Sequence, residues 1–429
     1  MTRWIQRIAT GVIVLFLLSV YGWTVKEAAR GQLGWGSKVK EGLLTFVGFL
    51  DLFGKSVEEV KQLPKTFVAT PSDFEPVNRL QRDVWALISY SDADKKRTVE
   101  IRNLRNDAVA RQWQVSAPGM QPHHRVIHPL LLPDSSLVYS LNGFTGLFCV
   151  DKDGQRRWTQ DSIAHHHGLN RGPEGHIWAC SYTRDKRGRF IVYRGQMRLD
   201  GRPLNFIDNT LSKIDPATGE LLYHRSISRI LQDNDLEHLL LKSPRSTDPY
   251  HLNDVQPVFE SGPYWQRGDL FLSLRNVSAI LQYRPATGEV VRLLEGPFYA
   301  QHDVDVLNDS TLSIFNNNCQ VNWQSNKNDL PIPDKRIRMG DNYSQVLLYH
   351  AGQESYEPVM AETMAREEIF TFTEGIADWL DSETVFVEEQ NSSILWILSG
   401  DEVLYKRALP SHHPDHHHLS NWTRILPAP

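Results

Sequence analysis

Cysteine is scarce in this chain, with three residues in 429. Cys149, Cys180 and Cys319 are odd in number and fall in none of the paired spacings that mark metal sites, so neither a disulfide framework nor a structural zinc site is expected. Free buried thiols are the expectation instead. A basic excess is also lacking. The formal net charge is −5, which leaves no electrostatic footprint for nucleic acid, and "DKRIRM" and "DKKRTVEIRNLR" read as solvated faces. What is present is a hydrophobic fraction of 41%, enough for a substantial globular core.

The one long uncharged run is "IATGVIVLFLLSVYGWTV", Ile8 to Val25, preceded by Arg3 and Arg7. At about 1.5 Å rise per residue it comes close to the ~30 Å hydrocarbon thickness of a bilayer. No A-x-A cleavage site follows it, and Tyr21 and Trp23 suit a membrane interface. Residues 1–30 are therefore expected to form a membrane anchor or a signal, an uncleaved anchor being favoured over a cleaved signal, with the bulk of the chain on the extracytoplasmic, periplasmic side. In residues 31–75, Val39, Leu43, Val47, Leu50 and Phe53 share one helical stripe. That stripe predicts an amphipathic juxtamembrane helix, too short in its apolar part to span.

From about residue 76 to 410 the apolar period changes to two, with turns such as "DKDG", "DPATGE" and "RPATGE". The segments also repeat. "HPLLLPDSSLVYSLNG", "HGLNRGPEGHIWACSYT", "HLNDVQPVFE" and "HDVDVLNDSTLSIFNNN" begin at His128, His167, His251 and His302, and a further unit starts at Gly375. Four-strand units spaced by about 40 to 60 residues predict an all-β, six-bladed β-propeller, the stretch from "DVWALISYS" supplying the sixth unit. Residues 411–429, with "HHPDHHHL", read as a histidine-rich surface tail.

First strands of propeller blades line the axis, so the four unit-leading histidines should converge. Arg275, in "LSLRN", is placed by strand alternation on the same face as Ser273. Histidines alone would suit a transition metal. A fixed cation beside them opposes that, and favours transfer of an anionic group through a histidine nucleophile. A propeller that only binds an anionic glycan or a partner protein, and a metal-dependent hydrolase or lyase, are the other readings.

The motifs "HHHGLN" with "EGHIW", "DPYHLNDV", "GDLFLSLRNVSAILQYRPATGEVV" and "QHDVDVLNDSTLSIFNNN" resemble, in order and spacing, those of the bacterial arylsulfate sulfotransferases, which use no adenosine-phosphosulfate donor. The resemblance covers roughly Ala164 to Tyr349. It implies a six-bladed propeller, no cofactor and no metal, with an aryl sulfate and a phenol or other hydroxyl acceptor as substrates. It implies His302 as the nucleophile that is transiently sulfated. His251 and Arg275 would hold the sulfuryl oxygens and stabilise the departing phenolate, and His167 would assist proton transfer. His166, Asn253 and His128 are the further candidate substrate-binding residues. Asp254 stands where that family has a small hydroxyl residue, which adds a carboxylate to the expected anion site.

Overall fold

The structure, a computed structural model, describes residues 66–427 except 92–95, 121–123, 143, 184–197, 200–201, 204–205, 245–246, 322–335, 339–342 and 414, and in addition Trp4, Thr10, Ile13 and Phe16. The chain divides into residues 1–64 and a compact body from 65 onward. The expected anchor and amphipathic stripe fall largely outside the described residues. Among the described residues no helix is long and apolar enough to cross a membrane.

The body is all-β and propeller-like, built from antiparallel four-strand units. The first unit stacks Trp85–Ser91, Arg97–Asn103 and Val109–Val115. The second stacks Leu130–Leu131, Leu137–Ser140, Thr145–Val150 and the first half of a long strand, Arg156–Arg171, whose second half opens the third unit. Ile177–Thr183, Asn209–Ile214 and Leu221–Ser226 complete that unit. The fourth contains Leu252–Pro257, Leu270–Leu274, Ala279–Arg284 and Glu289–Leu294. The fifth contains His302–Val306, Thr311–Asn316, Gln345–His350 and Ser355–Val359, and the sixth Ile376–Trp379, Thr384–Glu389, Ile394–Ser399 and Glu402–Pro410.

Turn chemistry fixes the hairpins. In "DPATGE" the Asp215 carboxylate accepts from the backbone N–H groups of Ala217 and Thr218. Gly219 follows at φ +77°, where a Cβ would stand 2.6 Å from the Trp158 ring, so only glycine fits. The strands themselves are buried on both faces, because an apolar cluster fills the space between each sheet and the next. Leu87, Val99 and Trp113 of the first unit pack on Leu137, Tyr139 and Phe148 of the second. Phe271 and Ile280 pack on Val304, Leu312 and Ile314 between the fourth and fifth, and Phe386, Leu395 and Ile397 of the sixth return to Ala86 and Ile88 of the first. Each such Leu or Ile is held by about 1.5–3 kcal/mol of burial.

The inner strands are also tied to one another by polar side chains. Asp254 accepts from Val304 N–H at 3.0 Å, Asp303 from Ala377 N–H at 2.7 Å, and Asp378 from Ile425 N–H at 2.9 Å. Arg424 closes the series by donating to the carbonyls of Pro129 at 3.2 Å and Leu169 at 2.7 Å. Hydrogen bonds of this kind are worth about 0.5–3 kcal/mol each, most where a partner is charged, so the strand ends that carry the site sit on a braced ring.

Two expectations need correction. Residues 411–427 are not a surface tail. Arg424–Leu426 pairs with Trp85–Leu87 as the innermost strand of the first unit, and His416–His418 joins the edge of the sixth, with His417 and His418 buried. The helical segment expected to reach residue 75 also gives way earlier, since Phe67–Ala69 is a strand paired with His416–His418. Both stretches are too short to display a period of their own, and their partners lie hundreds of residues away.

Candidate active site

The residue that opens each inner strand adopts an unusual backbone. His128, His167, His251, Glu374 and Trp422 all have positive φ, between +48° and +59°. Left-handed backbone strains a residue other than glycine, histidine less than most, and such strain gathers at functional sites. In the fifth unit Ala300, at +53°, and Asp303, at +45°, are left-handed, and a register shift follows His302 in its pairing with the next strand. His302 itself is thus held in regular strand geometry, opposite Phe315.

These side chains converge as the repeat implied. The His167 ring centroid lies 4.9 Å from His251, 5.9 Å from His302 and 5.5 Å from Trp422. His128 is 5.3 Å and His302 6.0 Å from Trp422, both edge-on. His166 adds a fifth imidazole, stacked on Tyr182 at 3.9 Å and joined to His167 by an Nδ1 to Nδ1 hydrogen bond of 2.8 Å. Burial, first of all, holds His128, His167 and His302 well below the ordinary imidazole pKa. The Arg275 charge adds to the effect at His302, as His251 does at His167. His166 is pushed down to about 3 in the same way.

His302 is fixed at both nitrogens. Nδ1–H donates to Asn317 Oδ1 at 2.6 Å and to the Ala300 carbonyl at 3.1 Å, and Nε2 accepts from Glu374 N–H at 3.1 Å. His251 instead meets a carboxylate: its Nδ1–H donates to Asp248 Oδ2 at 2.5 Å. Asn209 donates to the other oxygen of Asp248 at 2.8 Å. Burial works against the charge on Asp248, but His251 and the hydrogen bonds from His251 and Asn209 outweigh it and hold the carboxyl down to about 2.

Arg275 is placed differently from the sequence expectation. It lies beyond its strand, in a short 3₁₀ turn from Arg275 to Val277, so strand alternation does not orient it. Its backbone N–H donates to the His251 carbonyl at 3.1 Å, which sets it beside that histidine. Arg275 is 2% exposed; its guanidinium donates to Asn276 Oδ1 at 2.9 Å and to the Phe372 carbonyl at 3.4 Å, and among the described residues forms no ion pair. Its Nε and the indole nitrogen of Trp422 are buried donors without a partner among the described residues.

Asn253 is an inter-unit brace: its amide nitrogen donates to the Gln301 carbonyl at 2.8 Å, next to His302. Asp254 does not join the histidines. Its carboxylate accepts from Asn170 at 3.2 Å and from Val304 N–H, and burial raises it to about 6, so the added carboxylate belongs to the bracing ring. Sequence reasoning passed over Asp248, Asn317, Glu374 and Trp422. Asp248 lies within the quoted "DPYHLNDV" and Asn317 within "IFNNN", but nothing along the chain announces a partner for an imidazole. Trp422 was hidden in the supposed tail. The three cysteines are free and buried. Among the described residues no three His, Cys, Asp or Glu side chains are arranged to hold one metal ion.

On a propeller-like scaffold, converging strand ends gather imidazoles near a buried arginine that has no ion-pair partner among the described residues, an arrangement able to hold an anionic group. A family model described as Arylsulfotransferase (ASST) matches residues 128–403, well over half of the chain. The chain belongs to the arylsulfotransferase family. No curated protein matches it. Among solved structures it is similar to a protein of unknown function from Bacteroides caccae, at 10% identity and TM-score 0.42 over 75% of this chain and 93% of that one. Similar too are a hydrazine synthase from Kuenenia stuttgartiensis, at 12% and 0.39 over 71% of each chain, and virginiamycin B lyase from Staphylococcus aureus, at 13% and 0.33 over 73% and 94%.

Proposed function

We propose that this protein is a six-bladed propeller that moves a sulfuryl group from an aryl sulfate to a phenol or another hydroxyl acceptor through a sulfated His302, without an adenosine-phosphosulfate donor. The observation that carries this reading is Arg275: a buried guanidinium with no ion-pair partner among the described residues, close enough to His302 to lower its pKa. An uncompensated buried charge is costly, and a bound sulfuryl group would supply the missing anion through the planar fork. His302 is neutral, with Nδ1–H committed to Asn317, so the attacking lone pair is that of Nε2. The Glu374 N–H that caps Nε2 is released on attack and becomes a donor for a sulfuryl oxygen. The uncharged Ile8–Val25 run after Arg3 and Arg7 supports an anchor that holds the propeller outside the cytoplasm.

The test is single-turnover mixing with a chromogenic aryl sulfate while the protein mass is followed. Wild type should gain one sulfuryl group as phenol is released, and His302→Asn should give neither signal. A stoichiometric burst of phenol from His302→Asn would move the nucleophile to another imidazole.

A further inference from the structure

The imidazoles of the cluster are not equivalent, and the difference assigns the proton. Among the described residues His251 is the one site histidine hydrogen-bonded to a carboxylate. It is also the most open of them, half-buried, whereas His128, His166, His167 and His302 are buried. His167 spends Nδ1 on another imidazole, so it has no anion to stabilise an imidazolium. His302 has the neutral amide of Asn317.

Asp248 is itself held on three sides: Asn209 donates to Oδ1, Asn276 donates to the backbone carbonyl at 2.7 Å, and His251 donates to Oδ2. The same Asn276 accepts from Arg275, so Asp248 is linked to both His251 and Arg275.

We propose that Asp248 is a positioning residue for proton transfer. It fixes His251 with Nδ1–H toward the carboxylate and Nε2 toward the substrate, and makes His251 the acid and base of the exchange. This rests on the sulfuryl-transfer reading above. In the first half, Nε2 of His302 forms a bond to sulfur, the bond from sulfur to the aryl oxygen breaks, and the proton on His251 Nε2 passes to the leaving oxygen. In the second half the acceptor hydroxyl gives its proton back to His251 Nε2 as its oxygen takes the sulfuryl group from His302. The proton count closes over the cycle, and proton transfer of this kind contributes about 10²–10⁴ in rate. The corresponding assignment of His167 to proton transfer is thereby replaced.

The experiment compares para-nitrophenyl sulfate, whose phenolate leaves without a proton, with phenyl sulfate, whose leaving oxygen needs one. Single-turnover phenol release and protein mass are followed for wild type and Asp248→Asn, which keeps the shape and an acceptor for Nδ1–H. Asp248→Asn should slow phenyl sulfate by about 10²–10³ and para-nitrophenyl sulfate by less than about 10-fold. Equal losses on both donors would make Asp248 merely structural and overturn the inference, and so would no loss on either.

Should Asp248→Asn fail to fold, wild type still tests whether a proton is transferred to the leaving oxygen. Its phenol release in deuterated water should slow with phenyl sulfate and not with para-nitrophenyl sulfate, and the absence of that contrast overturns the inference. Wild type that transfers no sulfuryl group from either donor would overturn the proposed function and this inference with it. Transfer without the donor contrast overturns the inference alone.

Discussion

Asn317 commits both ends of its amide around His302: Oδ1 accepts the Nδ1 proton at 2.6 Å, while Nδ2 donates to the carbonyls of Thr371 at 2.9 Å and Glu374 at 2.7 Å. The two outgoing bonds fix which way the amide points, and the amide fixes the imidazole tautomer. Loss of a tautomer-setting partner costs about 10⁴ in a serine protease triad. Here the Ala300 carbonyl still accepts from Nδ1, so Asn317→Ala should slow formation of the sulfated protein by less, about 10- to 10²-fold. Single-turnover rates, with thermal unfolding as the control for folding, check this.

Acidification should leave the nucleophile intact over an unusual range. Burial holds His302 and His167 well below the ordinary imidazole pKa, so the free base persists as pH falls through the ordinary value of about 6.5. Phenol release from para-nitrophenyl sulfate should therefore be flat from about pH 8 to 6. An acid limb centred near 6.5 would mean an ordinary, solvated imidazole. Stability moves the other way. A base with a depressed folded pKa binds more protons when unfolded, so these histidines cost stability as pH drops below about 6.5, and the melting temperature should fall with them.

Arg275→Met should separate stability from function. Replacing a buried charge that has no ion-pair partner among the described residues by an apolar side chain of similar length removes a desolvation cost that nothing offsets. The variant should melt at the same or a higher temperature than wild type and show no turnover. Millimolar phenyl sulfate should raise the melting temperature of wild type by mass action and leave that of Arg275→Met where it is. Scanning calorimetry with and without the ligand reads both.

Truncation after Pro410 should abolish activity although every candidate catalytic residue remains. It removes Arg424–Leu426 from the first unit and Trp422 from among His128, His167 and His302. The truncated chain should be recovered less stable, and chromogenic turnover should be undetectable.

The legible part of this protein was whatever repeats. His128, His167, His251 and His302 announced themselves because each opens a unit of the same grammar, and their convergence follows from that alone. Trp422 occupies the corresponding place in the first unit, but the strand after it, Arg424–Leu426, has three residues and no alternation to read. Arg275 is set beside His251 by a turn and not by strand alternation, because its strand ends one residue before it. Asp248 and Asn317 are visible only once folding has brought an imidazole to each, because a hydrogen bond to a ring nitrogen leaves no period in the chain.

The closure of the first unit by Arg424–Leu426 also sets a clock. Asn421 donates to the Ser89 carbonyl across 332 residues. At about 5–20 residues per second, a ribosome takes roughly 20–70 s to make that stretch. Throughout that interval the strand Trp85–Ser91 waits with an unpaired edge, the kind of surface on which strands of other chains add. The histidines of the middle units can fold against their neighbours in the meantime, but Trp422 reaches them last. A newly made molecule therefore stays catalytically silent until its last strand is in place. A chaperone that shields one edge strand during that minute would govern how much active protein a cell obtains.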